Sequence, residues 1–155
     1  MSSVSPVPEG MHSLTPHITV NNAAKAIEFY TQAFGAKEID RSTTPNGKIM
    51  HAVLQIGDSR IMLNDEFPEM RAPRAPSGDG GLPFAINFYT EDADDTIQRA
   101  TAAGAKLTMP AQDMFWGDRY GQIVDPFGYR WAVATRKENL SRDEVNRRAA
   151  AMFAA

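Results

Sequence analysis

The stretch DPFGYRWAVA, residues 125–134, decides how this chain folds. Asp125-Pro126-Phe127-Gly128 is a tight-turn tetrapeptide, because proline presets φ and glycine tolerates the left-handed region. The residues after it suit a strand, with Trp131, Ala132 and Val133 alternating between its two sides. Such a hairpin either walls a binding site or packs a core. The choice depends on Ala132 and on three positions far from it in the chain.

An earlier hairpin has the same form. KIMHAVLQI (48–56) and SRIMLN (59–64) read as two strands joined at Gly57-Asp58. Upstream of it, PHITV (16–20) reads as a short strand. NNAAKAIEFYTQAFGA (21–36) then places Ala23, Ala26, Ile27, Tyr30 and Phe34 at three- and four-residue steps, the spacing of an amphipathic helix. Asn21 or Asn22 caps its start and Gly35 ends it. A strand near Glu38–Ser42 and a Pro45-Asn46-Gly47 turn lead into the hairpin.

The order repeats downstream of a stretch without periodicity. PFAINFYT is strand-like. EDADDTIQRATAAGA reads as a helix, with Asp92 near its start and Gly104 after its end, followed by a strand at Lys106–Met109 and a turn at Pro110. Laying SRIML on YRWAV sets Met62 on Ala132, 70 residues apart, and laying PHITV on FAINF sets His17 on Ala85, 68 apart. Small insertions in surface turns produce such drift, so the chain reads as an internal duplication of strand, helix and three strands. The tail adds a helix: Ser141 and Glu144 form a capping box, with Leu140 and Val145 as its hydrophobic staple.

Composition narrows the function. The chain has 155 residues, 43% hydrophobic content and a net charge of −3 without a basic run, which argues against a phosphate-tracking nucleic-acid surface. With no cysteine there is no disulfide, thiolate metal site or cysteine nucleophile. Neither a signal peptide nor an apolar run of the roughly 18 residues needed to cross a bilayer is evident. The expected location is cytoplasmic.

LTPHITVNNAAKAIEFYTQAFGAKEI (14–39), RIMLNDE (60–66) and DMFWGDRYGQIVDPFGYRWAVAT (113–135) together resemble the vicinal oxygen chelate superfamily of glyoxalases, bleomycin-resistance proteins and dioxygenases, and within it the PhnB-like branch. The resemblance implies an α+β fold. Two tandem βαβββ modules, 14–65 and 83–135, would form a half-open, curled barrel of mixed sheet within one domain, 14–135. A flexible leader (1–13), a linker loop (66–82) and a C-terminal helical tail (136–155) complete the expected organisation. A homodimer is also implied.

In metal-using members four side chains, one from the first and one from the last strand of each module, hold a divalent ion that chelates two substrate oxygens. Such an ion stabilises charge developing on those oxygens by several kcal/mol. Carried onto this chain, the positions are His17, Met62, Ala85 and Ala132, of which only His17 is a competent ligand. A one-residue slip substitutes Ile61 or Leu63, Phe84 or Ile86, and Trp131 or Val133, none of them a ligand. No metal and no cofactor are therefore expected.

The expected function is binding of a small, largely apolar or aromatic molecule, as in sequestering resistance proteins. His17, Met62, Asn64, Ala85, Asn87, Trp116, Arg119, Tyr120 and Ala132 would line the pocket. Trp116 and Tyr120 can stack on a flat ligand, Arg119 can pair with an anionic group, and Asn64 and Asn87 can orient it. His17 is the candidate base for any metal-free reaction. Two alternatives stay open: a metal-dependent lyase, isomerase or dioxygenase with ligands such as His51 or Glu66, and a regulatory partner protein.

Overall fold

The computed structural model describes residues 4–77 and 81–154. Met1–Ser3 of the expected leader, Gly78–Gly80 of the expected linker and Ala155 of the tail lie outside the described residues. The chain divides into two compact units, Met1–Pro76 and Ser77–Ala155.

In the first unit, β1 (His17–Val20) is followed by α1 (Ala23–Phe34), β2 (Lys37–Thr43), β3 (Ile49–Ile56) and β4 (Ser59–Asp65). The sheet order is β1-β4-β3-β2, with β1 parallel to β4 and the other pairs antiparallel. Helix α1 starts where the Asn22 side chain accepts from Lys25 N–H, and it stops at Gly35, whose φ of 67° needs a residue without Cβ strain. Asp65, at the end of β4, accepts from the N–H groups of Ala23 and Ile49, both at 2.7 Å. One carboxylate thus ties the helix to the sheet. Ala26, Ile27, Tyr30 and Phe34 are buried on α1, and Ile18, Val20, Leu54, Ile61 and Leu63 are buried on the sheet. Each large aliphatic or aromatic side chain so buried contributes about 1.5–3 kcal/mol.

The second unit repeats the order: β5 (Ile86–Tyr89), α2 (Ala93–Ala102), β6 (Lys106–Asp113), β7 (Asp118–Val124) and β8 (Arg130–Arg136). Its sheet order is β5-β8-β7-β6, again with one parallel pair, β5 and β8. Asp92 caps α2 by accepting from Asp95 N–H, and Thr135 Oγ1 accepts from Ala93 N–H at 2.8 Å, as Asp65 does in the first unit. A third helix, α3 (Arg142–Phe153), closes the chain. The fold is therefore α+β, with two four-stranded mixed sheets and three α-helices among the described residues. Neither sheet closes into a barrel.

The DPFG hairpin packs a core. Asp125 is 3% exposed. Its Oδ1 accepts from the N–H groups of Phe127 and Tyr129, both at 2.9 Å, and its Oδ2 accepts from Trp131 Nε1 at 2.8 Å. Gly128, with φ 93°, completes the turn. Trp131, 1% exposed, is thereby fixed as a core side chain.

Three local expectations are corrected. Pro110 does not end its strand: β6 runs through it to Asp113, with register shifts on either side of Met109. An outer strand tolerates proline at a bulge, because no ladder bond is asked of the missing N–H. Ala85 lies before β5, and the residue in register with Ala132 is Asn87. At α3, Ser141 Oγ accepts from Glu144 N–H, but the Glu144 carboxylate is engaged by Arg147 and Arg148. Only the Ser141 half of the capping box is thus made.

The leader touches the first unit. Arg60 Nη1 donates to the Glu9 carbonyl at 3.2 Å, and a Cβ on Gly10 would lie 2.3 Å from the Arg60 guanidinium. Among the described residues no helix is long and apolar enough to cross a membrane.

Candidate functional site

Each sheet buries one face under its helix and leaves the other free of it. Alternation assigns the side chains. In the first unit Ile18, Leu63 and Leu54 lie on the helix side, so His17, Thr19, Met62, Asn64, Val53 and His51 share the other. The register supports this: His17 pairs with Met62, Thr19 with Asn64 and Val53 with Met62. His17 and His51 meet edge to face, their ring centroids 5.6 Å apart. Asn64 accepts from Thr19 Oγ1 at 3.4 Å and donates to its neighbour's carbonyl, which fixes its amide.

In the second unit the corresponding face carries Asn87, Tyr89, Tyr120, Gln122, Ala132 and Ala134. Asn87 pairs with Ala132, Tyr120 with Ala134 and Gln122 with Ala132. An aromatic group gathers on this face. Trp116 Nε1 and Tyr89 Oη both donate to Asp118 Oδ2, at 3.0 and 2.8 Å. Trp116 also meets Tyr120 edge to face at 5.4 Å and Phe115 at 5.1 Å. Gln122 Nε2 donates to Tyr120 Oη at 2.9 Å. Asp118 is 5% exposed, so its carboxylate sits almost wholly within protein and fixes the directions of the two rings. The Tyr89 phenol titrates above its ordinary range, first because it donates to Asp118 and then because of burial.

Of the expected pocket residues, the structure thus groups Asn87, Trp116, Tyr120 and Ala132 in the second unit, and His17, Met62 and Asn64 in the first. Ala85, outside β5, joins neither group. Arg119 is also corrected. It pairs with Thr135, which bonds to the start of α2, so it lies on the helix side. There its guanidinium donates to both carboxylate oxygens of Asp94, at 2.8 and 3.0 Å, and to Asp113 at 3.4 Å. The hydrogen bond from Arg119 holds the Asp94 carboxyl below its usual range. With these partners Arg119 is not placed to meet an anionic ligand beside Trp116.

Tyr89, Asp118 and Gln122 were not anticipated as site residues. Tyr89 had a signal, standing two residues after Asn87 on one strand. Asp118 stands two residues after Trp116, which was the local signal for it, whereas its second donor, Tyr89, comes from a separate strand.

The four positions matching the family chelate are thus His17, Met62, Asn87 and Ala132. An imidazole, a thioether, an amide and a methyl group do not make the His, Glu and Gln set that holds a divalent ion. Among the described residues no group of three or more His, Cys, Asp or Glu side chains is gathered to hold a metal.

Comparison with known proteins agrees with this architecture. A family model, Glyoxalase/Bleomycin resistance protein/Dioxygenase superfamily, matches residues 10–133. An uncharacterized protein of Mycobacterium bovis is 41% identical over 135 residues, 86% of this chain and 89% of that protein. Among solved structures, TioX from Micromonospora sp. ML1 superposes with a TM-score of 0.63 at 25% identity, covering 81% of this chain and 98% of that one. A PhnB protein from Bacillus cereus shares the fold with a TM-score of 0.61 at 16% identity, covering 80% and 99%. On its repeated βαβββ modules and on the extent of that match, the chain belongs to the glyoxalase/bleomycin resistance protein/dioxygenase superfamily.

Proposed function

We propose that this protein binds a small, flat, largely apolar or aromatic molecule against the aromatic face of its second unit, without metal chelation at the four family positions. The observation that carries this reading is the group of Trp116, Tyr120 and Tyr89 around Asp118. Two of its rings are oriented by hydrogen bonds to one carboxylate, so little side-chain freedom is lost when a ligand stacks there. Asn87 and Gln122 stand on the same face and can orient the ligand's polar atoms. Family membership supports the reading as well, since bleomycin-resistance proteins are among its members and sequestration asks only for a shaped pocket. A homodimer belongs to the same reading, and sedimentation velocity tests it.

The experiment is a thermal-shift and tryptophan-fluorescence screen of planar aromatic compounds, with and without fused rings. A ligand that binds only the native state raises the melting temperature. The chain has two tryptophans. Trp131 is 1% exposed, so ligand quenching reports on Trp116. Trp116→Ala should weaken binding by about 0.5–1.5 kcal/mol or more, the worth of an aromatic pair beyond area. A screen in which no planar compound moves either signal would remove the reading.

A further inference from the structure

We propose that the ligand of the second unit carries a cationic nitrogen, a protonated amine or ring N–H, that donates to Asp118 Oδ1 beside the rings of Trp116, Tyr120 and Tyr89. The inference rests on the ligand-binding reading and names the chemical class of the ligand's polar end.

The carboxylate itself carries the argument. Asp118 is 5% exposed, and an acid so enclosed ordinarily faces a cation. Its donors here are neutral, the Trp116 indole and the Tyr89 phenol, and both meet the same oxygen, Oδ2. Among the described residues Asp118 joins no ion pair and Oδ1 accepts no hydrogen bond, while no wholly buried side-chain oxygen lacks a partner. Oδ1 is therefore the edge of the carboxylate that reaches solvent. A negative charge is held within protein, one oxygen fixed by two rings and the other open.

The protein's own cations are engaged elsewhere. Arg136 pairs with Asp118 in the register of β7 and β8, yet its guanidinium donates to the Glu138 carbonyl at 3.4 Å and to Asn139 Oδ1. Arg119 is held by Asp94 and Asp113 on the helix side. A ligand cation at Oδ1 gains twice. Its N–H donates to an ionised acceptor, a bond roughly twice as strong as a neutral one. The ring faces attract a cation lying within about 6 Å of their centroids. Tyr89 is 60% exposed, so its ring is open to an arriving ligand, and Trp116 and Tyr120 are half-buried. An anionic group would instead be repelled by Asp118. Arg136 tempers the site from its edge: the hydrogen bond to Asp118 raises the Tyr89 phenol most, and the Arg136 charge acts against it.

The test titrates three probes that share one ring system, 1-naphthylmethylamine, 1-naphthalenemethanol and 1-naphthoate, into the full-length protein at neutral pH. Calorimetry reads binding at about 0.15 M salt, where exposed charges beyond about 8 Å are screened. The amine should bind about tenfold or more tighter than the alcohol, and the carboxylate weakest. Asp118→Asn keeps the shape and an acceptor oxygen for the two rings, and should bring the amine-to-alcohol ratio close to one. Asp58→Asn removes an equal charge in the first unit and should leave that ratio unchanged. Arg136→Gln should leave the amine's affinity unchanged or raise it, which tests the charge balance even where circular dichroism shows Asp118→Asn unfolded. An amine no tighter than the alcohol, with both bound, would overturn the inference and leave the ligand-binding reading standing. Tightest binding by the carboxylate, a preference untouched by Asp118→Asn, or amine binding weakened by Arg136→Gln would overturn it as well. Binding by none of the three would also overturn it, and the wider planar screen then decides the ligand-binding reading.

Discussion

At matching rungs of the two sheets, β4 carries Met62 beside His17, and β8 carries Ala132 beside Asn87. Two residues on, β4 carries Asn64 beside Thr19, and β8 carries Ala134 between Tyr89 and Tyr120; His17 meets His51 on the first of these faces. The backbone register is the same in both units, yet one face presents imidazoles and the other aromatic rings. Pairing and helix docking are carried by residues on the helix side, such as Leu63 and Val133, both fully buried. The opposite face is left to vary. A repeated module thus holds its frame and exchanges its chemistry.

The two hairpins differ most, and the largest expected effect tests them against each other. Removing the Asp125 carboxylate takes away the acceptor that three buried groups share, the N–H groups of Phe127 and Tyr129 and the Trp131 indole. Asp125→Ala should lower unfolding free energy by about 3 kcal/mol or more in urea titration. Among the described residues, Asp58 in the first unit accepts only from the exposed Ser59 hydroxyl. Asp58→Ala should stay within about 0.5 kcal/mol of the parent. Equal effects would mean that the two turns are anchored alike.

Next comes the approach of helix to sheet. A Cβ on Gly121 would lie 2.6 Å from Ile97 Cδ1 and 2.9 Å from the Met109 carbonyl, whereas the first unit has Ala52 opposite Leu63 at the matching rung. Gly121→Ala should cost about 1–3 kcal/mol as overpacking, measured by thermal or urea unfolding. The helix ties follow. Asp65→Ala frees two backbone donors and should cost about 2 kcal/mol. Thr135→Val frees one N–H at α2 and should cost about 1 kcal/mol.

The smallest effect concerns α3. Hydrogen bonds from Arg147 and Arg148 lower the Glu144 carboxyl from 4.5 to about 2. A lowered carboxyl stabilises the fold fully above its unfolded value and loses that contribution as the pH falls toward the folded one. Helical circular dichroism from α3 should therefore decline between pH 4.5 and about 2, and Glu144→Gln should remove that step.

How much of this was legible in the sequence follows from locality. Asn22, Gly35 and Asp92 act within three or four residues of their own positions, and the helix boundaries could be read from them. The α+β class followed from the repeat. Pro110 misled, because proline punctuates a strand only where its N–H would be needed, and on the outer strand β6 it is not. Ala85 misled because residue offset stood in for register, and the turns had shifted the count by two. Arg119 was set on the wrong side since its carboxylate, Asp94, comes from another element. Tyr89 joins Trp116 and Asp118 only through the pairing of separate strands, so the full group could not be seen along the chain.

The outer strands β2 and β6 have a consequence for concentrated solutions. Both carry register shifts, at Glu38/Asp40 and Ser42/Thr43 in one and around Met109 in the other, and β6 adds a proline. A foreign chain arriving at either rim meets a broken template of donors and acceptors instead of a straight one. Fibre growth by stacking copies along these rims is thereby discouraged, without any partner being needed to cover them.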